Sequence, residues 1–203
     1  MPETAERPST STVRFTYEDH CLYPDDTKRH EIIDGNEYVA PAPNTFHQRI
    51  IMRLSAQMHN HAQENDLGEV FTSPIDLIFS DTDVVQPDVL FVAKERAAIV
   101  EHHGLTDAPD LVVEVLSESN RRHDEIRKRR LYERYGVREY WIVDPALEQV
   151  KVYPENVSFR TPIRGPCVIP LRGISFGLLA AKPREIRPRS TCPLAGGAAS
   201  SAG

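Results

Sequence analysis

Cysteine is scarce in this chain of 203 residues, and its three copies are widely spaced. No Cys-x-x-Cys pair occurs, so neither a disulfide framework nor a cysteine-based zinc site is expected. The sequence also lacks a run of about 18 apolar residues, which argues against a transmembrane helix. The polar segment 1–13 has no apolar stretch of the kind found in secretory signals. We therefore expect a cytoplasmic protein with no membrane partner.

Positive charge is also in short supply, because the formal net charge is −6, which argues against indiscriminate nucleic-acid binding. One window departs from this balance: residues 120–138 contain eight basic and three acidic residues. A basic helix on an acidic body can attract phosphate groups locally; the alternative is a solvated helix face whose charges pair with one another. The candidates for nucleic-acid contact are Arg121, Arg122 and Arg127.

Both ends of the chain are polar or of low complexity, whereas the middle has the composition of one globular domain. We predict a disordered segment 1–15, a single domain 16–187 and a disordered tail 188–203. The predicted elements are a hairpin over 31–39 with its turn at Asp34-Gly35, a helix from Asn44 to about Gly68, strands near 69–79, 87–93 and 110–116, a basic helix over 120–135, and strands at 139–143 and 150–153. For the first helix we predict Asn44 as the N-cap, Gly68 as the C-cap, and an apolar stripe formed by Phe46, Ile50, Leu54 and Met58. This order predicts an α/β fold, in which a mixed β-sheet is flanked by helices and preceded by an N-terminal β-hairpin.

An acidic residue, Glu114, stands in the middle of the apolar strand 111–116. Burying an ionised carboxylate costs several kcal/mol unless a cation or a metal ion compensates it. A second acid, Asp88, opens the apolar run that follows Pro87. Two carboxylates at one gap repel unless a cation lies between them, and Mg²⁺ suits a site with few protein carboxylates. The sequence therefore predicts a Mg²⁺ site, with Mn²⁺ as a possible substitute; the alternative is that buried arginines pair with these acids.

The basic helix adds a third chemical group to the two acids. Asp124, Lys128 and Tyr132 recur every four positions, so they share one face of the helix. If that face is exposed, Asp124 and Lys128 form a surface pair worth roughly 0.2–0.5 kcal/mol. If it faces the carboxylates, the Lys128 ammonium can stabilise charge on a phosphate or orient a water molecule.

Several short motifs follow one another in the sequence: TYED at 16–19, EIIDG at 31–35, Pro43 with HQ at 47–48, PDV at 87–89, EVLS at 114–117, DxxxKxxxY at 124–132 and GVxEYWIVDP at 136–145. Together they resemble the Uma-type restriction endonuclease family of the PD-(D/E)XK nuclease superfamily. The resemblance extends over about residues 15–180. The run at 136–145, with its spacing from Lys128, is its most specific part.

The resemblance implies a restriction-endonuclease-like fold and assigns roles to individual residues. Asp88, Glu114 and the carbonyl of Val115 would bind the metal ion. Lys128 would replace the lysine that the superfamily usually carries two places after the glutamate, where this chain has Leu116.

Two further residues match the family, with alternatives left open. Glu31 would approach the same site as a further catalytic acid, or else be a surface residue of the hairpin. His47 would be either a site residue or a histidine packed beneath the sheet.

The implied function is that of a Mg²⁺-dependent DNA endonuclease, in which metal-activated water hydrolyses phosphodiester bonds. Because one metal site per chain cuts one strand, a homodimer is the simplest way to cut two. The alternative is a non-catalytic nucleic-acid-binding protein on a nuclease fold. A purely structural domain would leave Glu114 unexplained.

Overall fold

The computed structural model describes residues 13–24, 26, 28–40, 42–117, 121 and 123–154. The helices in this part of the chain are α1 (Tyr17–His20), α2 (Thr45–Glu64), a 3₁₀ helix (Lys94–Ile99), a π-helical segment (His123–Lys128) and α3 (Arg129–Arg134), which follows it directly. The strands are β1 (Arg29–Ile33), β2 (Asn36–Ala40), β3 (Gly68–Thr72), β4 (Leu77–Ser80), β5 (Asp83–Val85), β6 (Val89–Ala93), β7 (Val100–Glu101), β8 (Gly104–Leu105), β9 (Leu111–Val115), β10 (Glu139–Asp144) and β11 (Gln149–Pro154). The predicted disordered ends lie outside the described residues, apart from 13–15.

A five-stranded mixed sheet with the order β11-β10-β9-β6-β3 contains the apolar strand with the central acid. Only β9 and β10 run parallel; the other neighbours are antiparallel. Every residue of β9 is buried, as its run of valines and leucine predicts for a strand covered on both faces. The mixed sheet, the basic helix and the strand pair β10–β11 confirm the predicted α/β class.

A second sheet, with the order β2-β1-β5-β4-β8-β7, begins with the predicted hairpin around Asp34-Gly35. The strand predicted at 69–79 is wrong as a single element, since β3 and β4 belong to different sheets. Pro74 lies between them and has no N–H to donate to a ladder. The three-residue strand β5 and the two-residue strands β7 and β8 are too short to show a hydrophobic period.

Helix α2 covers one face of the five-stranded sheet. Its residues Ile50, Leu54 and Met58 are buried in a core shared with Val113 and Trp141. The N-cap prediction is confirmed, because the Asn44 side chain accepts a hydrogen bond from the first turn of the helix. The predicted apolar stripe starts one turn late, since Phe46 is 48% exposed.

The predicted C-cap of α2 at Gly68 is wrong. The helix ends at Glu64 with Asn65 as its C-cap, and Gly68 opens β3 instead. Its φ is +146°, and a Cβ atom there would lie 2.1 Å from the Val92 carbonyl oxygen. Close approach to β6, rather than helix termination, explains this glycine.

The opposite face of the five-stranded sheet packs against the second sheet and α3. Val112 and Leu116 share this core with Tyr132 and Tyr140. Strand alternation places Glu114 on this same face of β9, among apolar neighbours. None of the helices in the described ranges has the length and apolar character needed to cross a membrane.

Candidate active site

Asp88, directly before β6, lies beside Glu114 of the neighbouring strand β9, as the metal-site hypothesis requires. Val89 of β6 is opposite Val113 of β9, so the next position outward brings Asp88 opposite Glu114. Both side chains are about 1% exposed, and both line one cavity of about 150 Å³. We call this space the aspartate cavity; it is also lined by Arg29, His47, Val115 and Asp124.

Lys128 points into the protein, so the surface-pair interpretation is wrong. The side chain is about 2% exposed, and its Nζ lies 2.9 Å from Glu114 Oε1 and 2.8 Å from Glu31 Oε1. Asp124 Oδ1 is 3.7 Å away. The Tyr132 hydroxyl donates to the same Glu114 Oε1 at 2.8 Å. Two residues of the predicted helix face, Lys128 and Tyr132, therefore bind Glu114 directly, and the third, Asp124, lies near Lys128.

Glu31 is buried on β1, which contradicts the alternative of an exposed hairpin residue. Besides binding Lys128, its Oε1 accepts a hydrogen bond from the Gln86 backbone N–H at 2.9 Å. Its Oε2 lies 3.4 Å from His123 Nε2. A second cavity, of about 190 Å³, is lined by Arg29, Glu31, Tyr38, His123, Asp124 and Lys128, among others. We call it the lysine cavity.

His47 contacts two of the predicted metal ligands at once. Its Nε2 donates to the Val115 carbonyl oxygen at 2.9 Å and lies 3.2 Å from Asp88 Oδ2. His47 is thus a buried helix residue that also contacts the predicted site, and its role there stays a prediction. The first turn of α2, capped by Asn44, holds the imidazole there.

Arg29 also belongs to the site, although the sequence patterns did not single it out. Its Nη2 donates to Asp88 Oδ1 at 2.9 Å. The signal that could have identified it is its position two residues before Glu31, because alternate residues of a strand share a face. Asp88 Oδ2 accepts a further hydrogen bond from the Val115 N–H at 2.8 Å.

Four carboxyl groups and two permanently charged cations are gathered around these cavities. We call the carboxyl groups the acid cluster; they are Glu31, Asp88, Glu114 and Asp124. The cations are Arg29 and Lys128, so with all four acids ionised and the histidines neutral, the site has two negative charges in excess. That excess equals the charge of one divalent cation.

The pKa values of the acid cluster diverge because burial and pairing differ between its members. Burial raises the pKa of Glu114, against the attraction of Lys128 and with the repulsion of Asp88. Burial also raises the pKa of Asp124 well above its ordinary value. At Glu31, the attraction of Lys128 and the nearby His123 imidazole overcome burial and lower the pKa to about 2. At Asp88, the hydrogen bond from His47 and the charge of Arg29 overcome burial and lower the pKa.

The donor set can be tested against the ion that the sequence predicts. Among the described residues, no three His, Cys, Asp or Glu side chains are grouped so that they could hold a metal ion. The predicted set needs only two such side chains, Asp88 and Glu114, together with the Val115 carbonyl. All three residues line one cavity, their side-chain or backbone oxygens are of the kind that Mg²⁺ prefers, and Mg²⁺ usually keeps several waters. Donor type and excess charge fit such an ion, which would have to replace the hydrogen bonds from Arg29 and His47.

The arginines proposed for nucleic-acid contact have different surroundings. Arg121 binds Asp144 through two hydrogen bonds, of 2.6 and 2.9 Å. The Arg127 guanidinium lies over the Tyr38 ring, 4.9 Å from its centroid. Arg122 lies outside the described residues. Internal pairing thus accounts for Arg121, and DNA contact by these residues stays a prediction.

The fold is restriction-endonuclease-like, as the resemblance to the Uma-type family implied. The chain belongs to the Uma2 family, described as "Putative restriction endonuclease", which matches residues 16–166. It is also similar to a solved structure described as a "putative nuclease belonging to DUF820" from Anabaena variabilis ATCC 29413. The TM-score is 0.61 at 20% sequence identity, over 70% of this chain and 81% of that chain, which shows a shared fold. No curated protein matches the chain.

Proposed function

We propose that this nuclease-like protein is a Mg²⁺-dependent endonuclease that hydrolyses phosphodiester bonds in DNA. The observation that carries the proposal is the burial of Lys128 between Glu31 and Glu114, beside the cavity that Asp88 shares. Buried ion pairs are often no more stabilising than apolar residues of similar volume. A role in binding or catalysis explains why such a cluster lies beside a cavity, whereas fold stability alone does not.

Asp88, Glu114 and the Val115 carbonyl would hold the ion, and Mn²⁺ would serve in place of Mg²⁺. When bound, such an ion activates water for attack and neutralises charge that develops on a phosphate. The acid cluster contributes the negative charge that attracts it.

Lys128 contributes a fixed positive charge in this proposal. Burial lowers the pKa of its ammonium, but the attraction of Glu114 and Glu31 outweighs burial and raises that pKa above its ordinary value. Lys128 therefore stays protonated at neutral pH and acts as a hydrogen-bond donor and not as a base. Glu31, ionised down to its pKa of about 2, holds the ammonium in position.

The test is cleavage of supercoiled plasmid DNA by the purified full chain, with Mg²⁺, Mn²⁺ or EDTA. We expect nicked and linear products only with a divalent ion, and their loss in Asp88→Asn and Glu114→Gln. Glu95→Gln, which removes an exposed carboxylate, is the matched control and should cleave normally. A folded wild-type protein that cleaves no DNA with either ion would contradict the enzyme proposal.

The non-catalytic alternative has one observation in its favour. Arg29 and His47 already bind oxygen atoms of Asp88 and Val115 that the ion would need. Under this alternative, the protein shifts duplex DNA in a gel but leaves it intact at every divalent-ion concentration.

We further propose a homodimer, so that two sites can reach two strands. Sedimentation at micromolar concentration should show a dimer. A monomer in the presence of both DNA and Mg²⁺ would contradict it.

A further inference from the structure

Arg29 lies between the two cavities of the site. It lines both the aspartate cavity and the lysine cavity, and its side chain is 13% exposed. A guanidinium has five N–H donors. In the described part of the chain, Arg29 uses one of them, in the hydrogen bond to Asp88 Oδ1. The remaining donors are available to a group that enters either cavity.

The other buried cation, Lys128, has no such capacity. Its three donors face Glu31 and Glu114 at hydrogen-bond distance and Asp124 at 3.7 Å. Turning it towards a ligand would break its contacts with two buried carboxylates at once. Arg29 is therefore the cation that can bind an anionic ligand at the smaller cost.

A divalent ion in the aspartate cavity would change the surroundings of Arg29. The ion and the guanidinium would compete for the same carboxylate, Asp88. Burial lowers the pKa of Arg29, but Asp88, Glu31 and Glu114 outweigh it and raise that pKa, so the charge stays. Two cations then lie close together, and an anion with several oxygen atoms would relieve their repulsion.

We infer that Arg29 is a phosphate-binding residue of this site, which pairs with Asp88 in the free protein and with a phosphodiester group of the substrate when a divalent ion is bound. The planar fork of arginine suits two phosphate oxygens at once. The inference rests on the proposed function, since the phosphodiester is the substrate of that reaction. It adds a residue that contacts the substrate, and it implies that Arg29 and the ion compete for the Asp88 carboxylate.

The test uses Arg29→Met, which removes the charge at similar length, and Arg29→Lys, which keeps the charge and removes the fork. Titration calorimetry with Mn²⁺ alone measures ion affinity. Anisotropy of a labelled DNA duplex in Ca²⁺ measures substrate affinity, and plasmid cleavage in Mg²⁺ measures rate. Arg96→Met is the matched control, because Arg96 also forms ion pairs with two aspartates, away from both cavities.

We expect Arg29→Met to bind Mn²⁺ at least about tenfold more tightly, since a competing cation is gone. We expect the same variant to bind DNA about tenfold more weakly, because a charge-assisted hydrogen bond is lost, and to cleave it about 10²–10³ times more slowly. Arg29→Lys should restore the wild-type Mn²⁺ affinity but not the DNA affinity. Arg96→Met should change none of these values.

Other results would show whether the inference about Arg29 or the proposed nuclease function is wrong. If Arg29→Met, folded by circular dichroism, binds Mn²⁺ no more tightly and DNA as well as the wild type, Arg29 is a structural partner of Asp88 and the inference is overturned. If Arg29→Met does not fold, Arg29→Lys decides: wild-type DNA affinity in that variant overturns the inference. If the wild type binds Mn²⁺ and DNA but cleaves nothing, the proposed function fails, while opposite changes in the two affinities of Arg29→Met still support phosphate binding.

Discussion

Among the predicted site residues, Lys128 is the one whose expected contribution to stability differs most between the sequence-based surface pair and the structure. A surface partner of Asp124 would contribute roughly 0.2–1 kcal/mol, whereas Lys128 is enclosed by buried carboxylates. Lys128→Ala should therefore lower the free energy of unfolding by about 3–5 kcal/mol, because it leaves buried charges without their cation. Urea denaturation at pH 7 measures this loss.

A control for Lys128→Ala is available on α3, which directly follows the π-helical segment that contains Lys128. Arg134 pairs with Asp34 at the surface, where the two side chains are 49% and 55% exposed. Arg134→Ala should cost less than about 1 kcal/mol. Equal urea midpoints for the two variants would show that the acid cluster does not depend on Lys128.

Removing the charge of Glu114 should have a different effect from removing its cation. Burial, together with repulsion from Asp88 and Glu31, raises the pKa of Glu114, so the folded protein stabilises the charged carboxylate less well than water does. Glutamine keeps an oxygen acceptor for Tyr132, and Lys128 keeps Glu31 as a partner. In urea without divalent ions, the free energy of unfolding of Glu114→Gln should therefore be within about 1 kcal/mol of the wild-type value, or higher. A loss as large as that of Lys128→Ala would make Glu114 a structural ion-pair partner.

Two glycines with positive φ provide a test of how strand β3 is held against β6. At Gly68, a Cβ atom would lie 2.1 Å from the Val92 carbonyl oxygen, whereas a Cβ atom at Gly136 would have no heavy atom of the described residues within 4 Å apart from its immediate chain neighbours. Gly136→Ala should lower the free energy of unfolding by only about 1–2 kcal/mol, because alanine is strained in the left-handed backbone conformation of this residue. Gly68→Ala adds a backbone clash and should cost more than about 3 kcal/mol. Thermal unfolding of both variants measures the difference, and equal melting temperatures would refute the close approach of the two strands.

Elements with a clear period or turn were predictable from the sequence, and those set by distant contacts were not. The helix at α2, the Asp34-Gly35 hairpin and the strand β9 follow from local patterns that the structure confirms. The strand β5 contains three residues, and its place between β1 and β4 depends on partners elsewhere in the chain.

The site shows the same division between local and distant information. The sequence pattern alone indicates three of the site residues. Asp88 and Glu114 are acids in apolar segments, and Lys128 belongs to a four-residue helical repeat. Arg29 reaches Asp88 across 59 positions, and His47 reaches Val115 across 68. Such contacts depend on how the sheets assemble, which no local pattern specifies.

The charge of the whole molecule limits how it can bind DNA. With a net charge of −6, binding without a divalent ion should be weak and strongly salt-dependent. Arg127→Ala should reduce the slope of log K against log salt by about one, if Arg127 contacts a phosphate. Arg121→Ala should leave it unchanged, because Asp144 already neutralises that guanidinium. Fluorescence anisotropy over a range of NaCl concentrations tests both, and a smaller slope for Arg121→Ala alone would place the DNA on the Asp144 side of the helix.

The charge imbalance of the acid cluster should couple ion binding to the stability of the whole fold. With all four acids ionised, Glu31, Asp88, Glu114 and Asp124 outnumber the two permanent cations, so a divalent ion would neutralise the excess and would bind the folded state in preference to the unfolded chain. At a Mg²⁺ concentration of 100 times Kd, the gain in unfolding free energy is about 2.7 kcal/mol. We expect Mg²⁺ to raise the melting temperature, and EDTA to reverse the shift.

Two controls separate this specific effect from the general effect of salt. NaCl at the same ionic strength should not reproduce the shift, because screening weakens attraction and repulsion alike. Glu114→Gln should melt at the same temperature with and without Mg²⁺, since it lacks one of the proposed ligands, whereas Glu95→Gln should respond like the wild type. A shift of equal size in Glu114→Gln would place the ion outside the acid cluster, and the metal assignment of Asp88, Glu114 and Val115 would then be wrong.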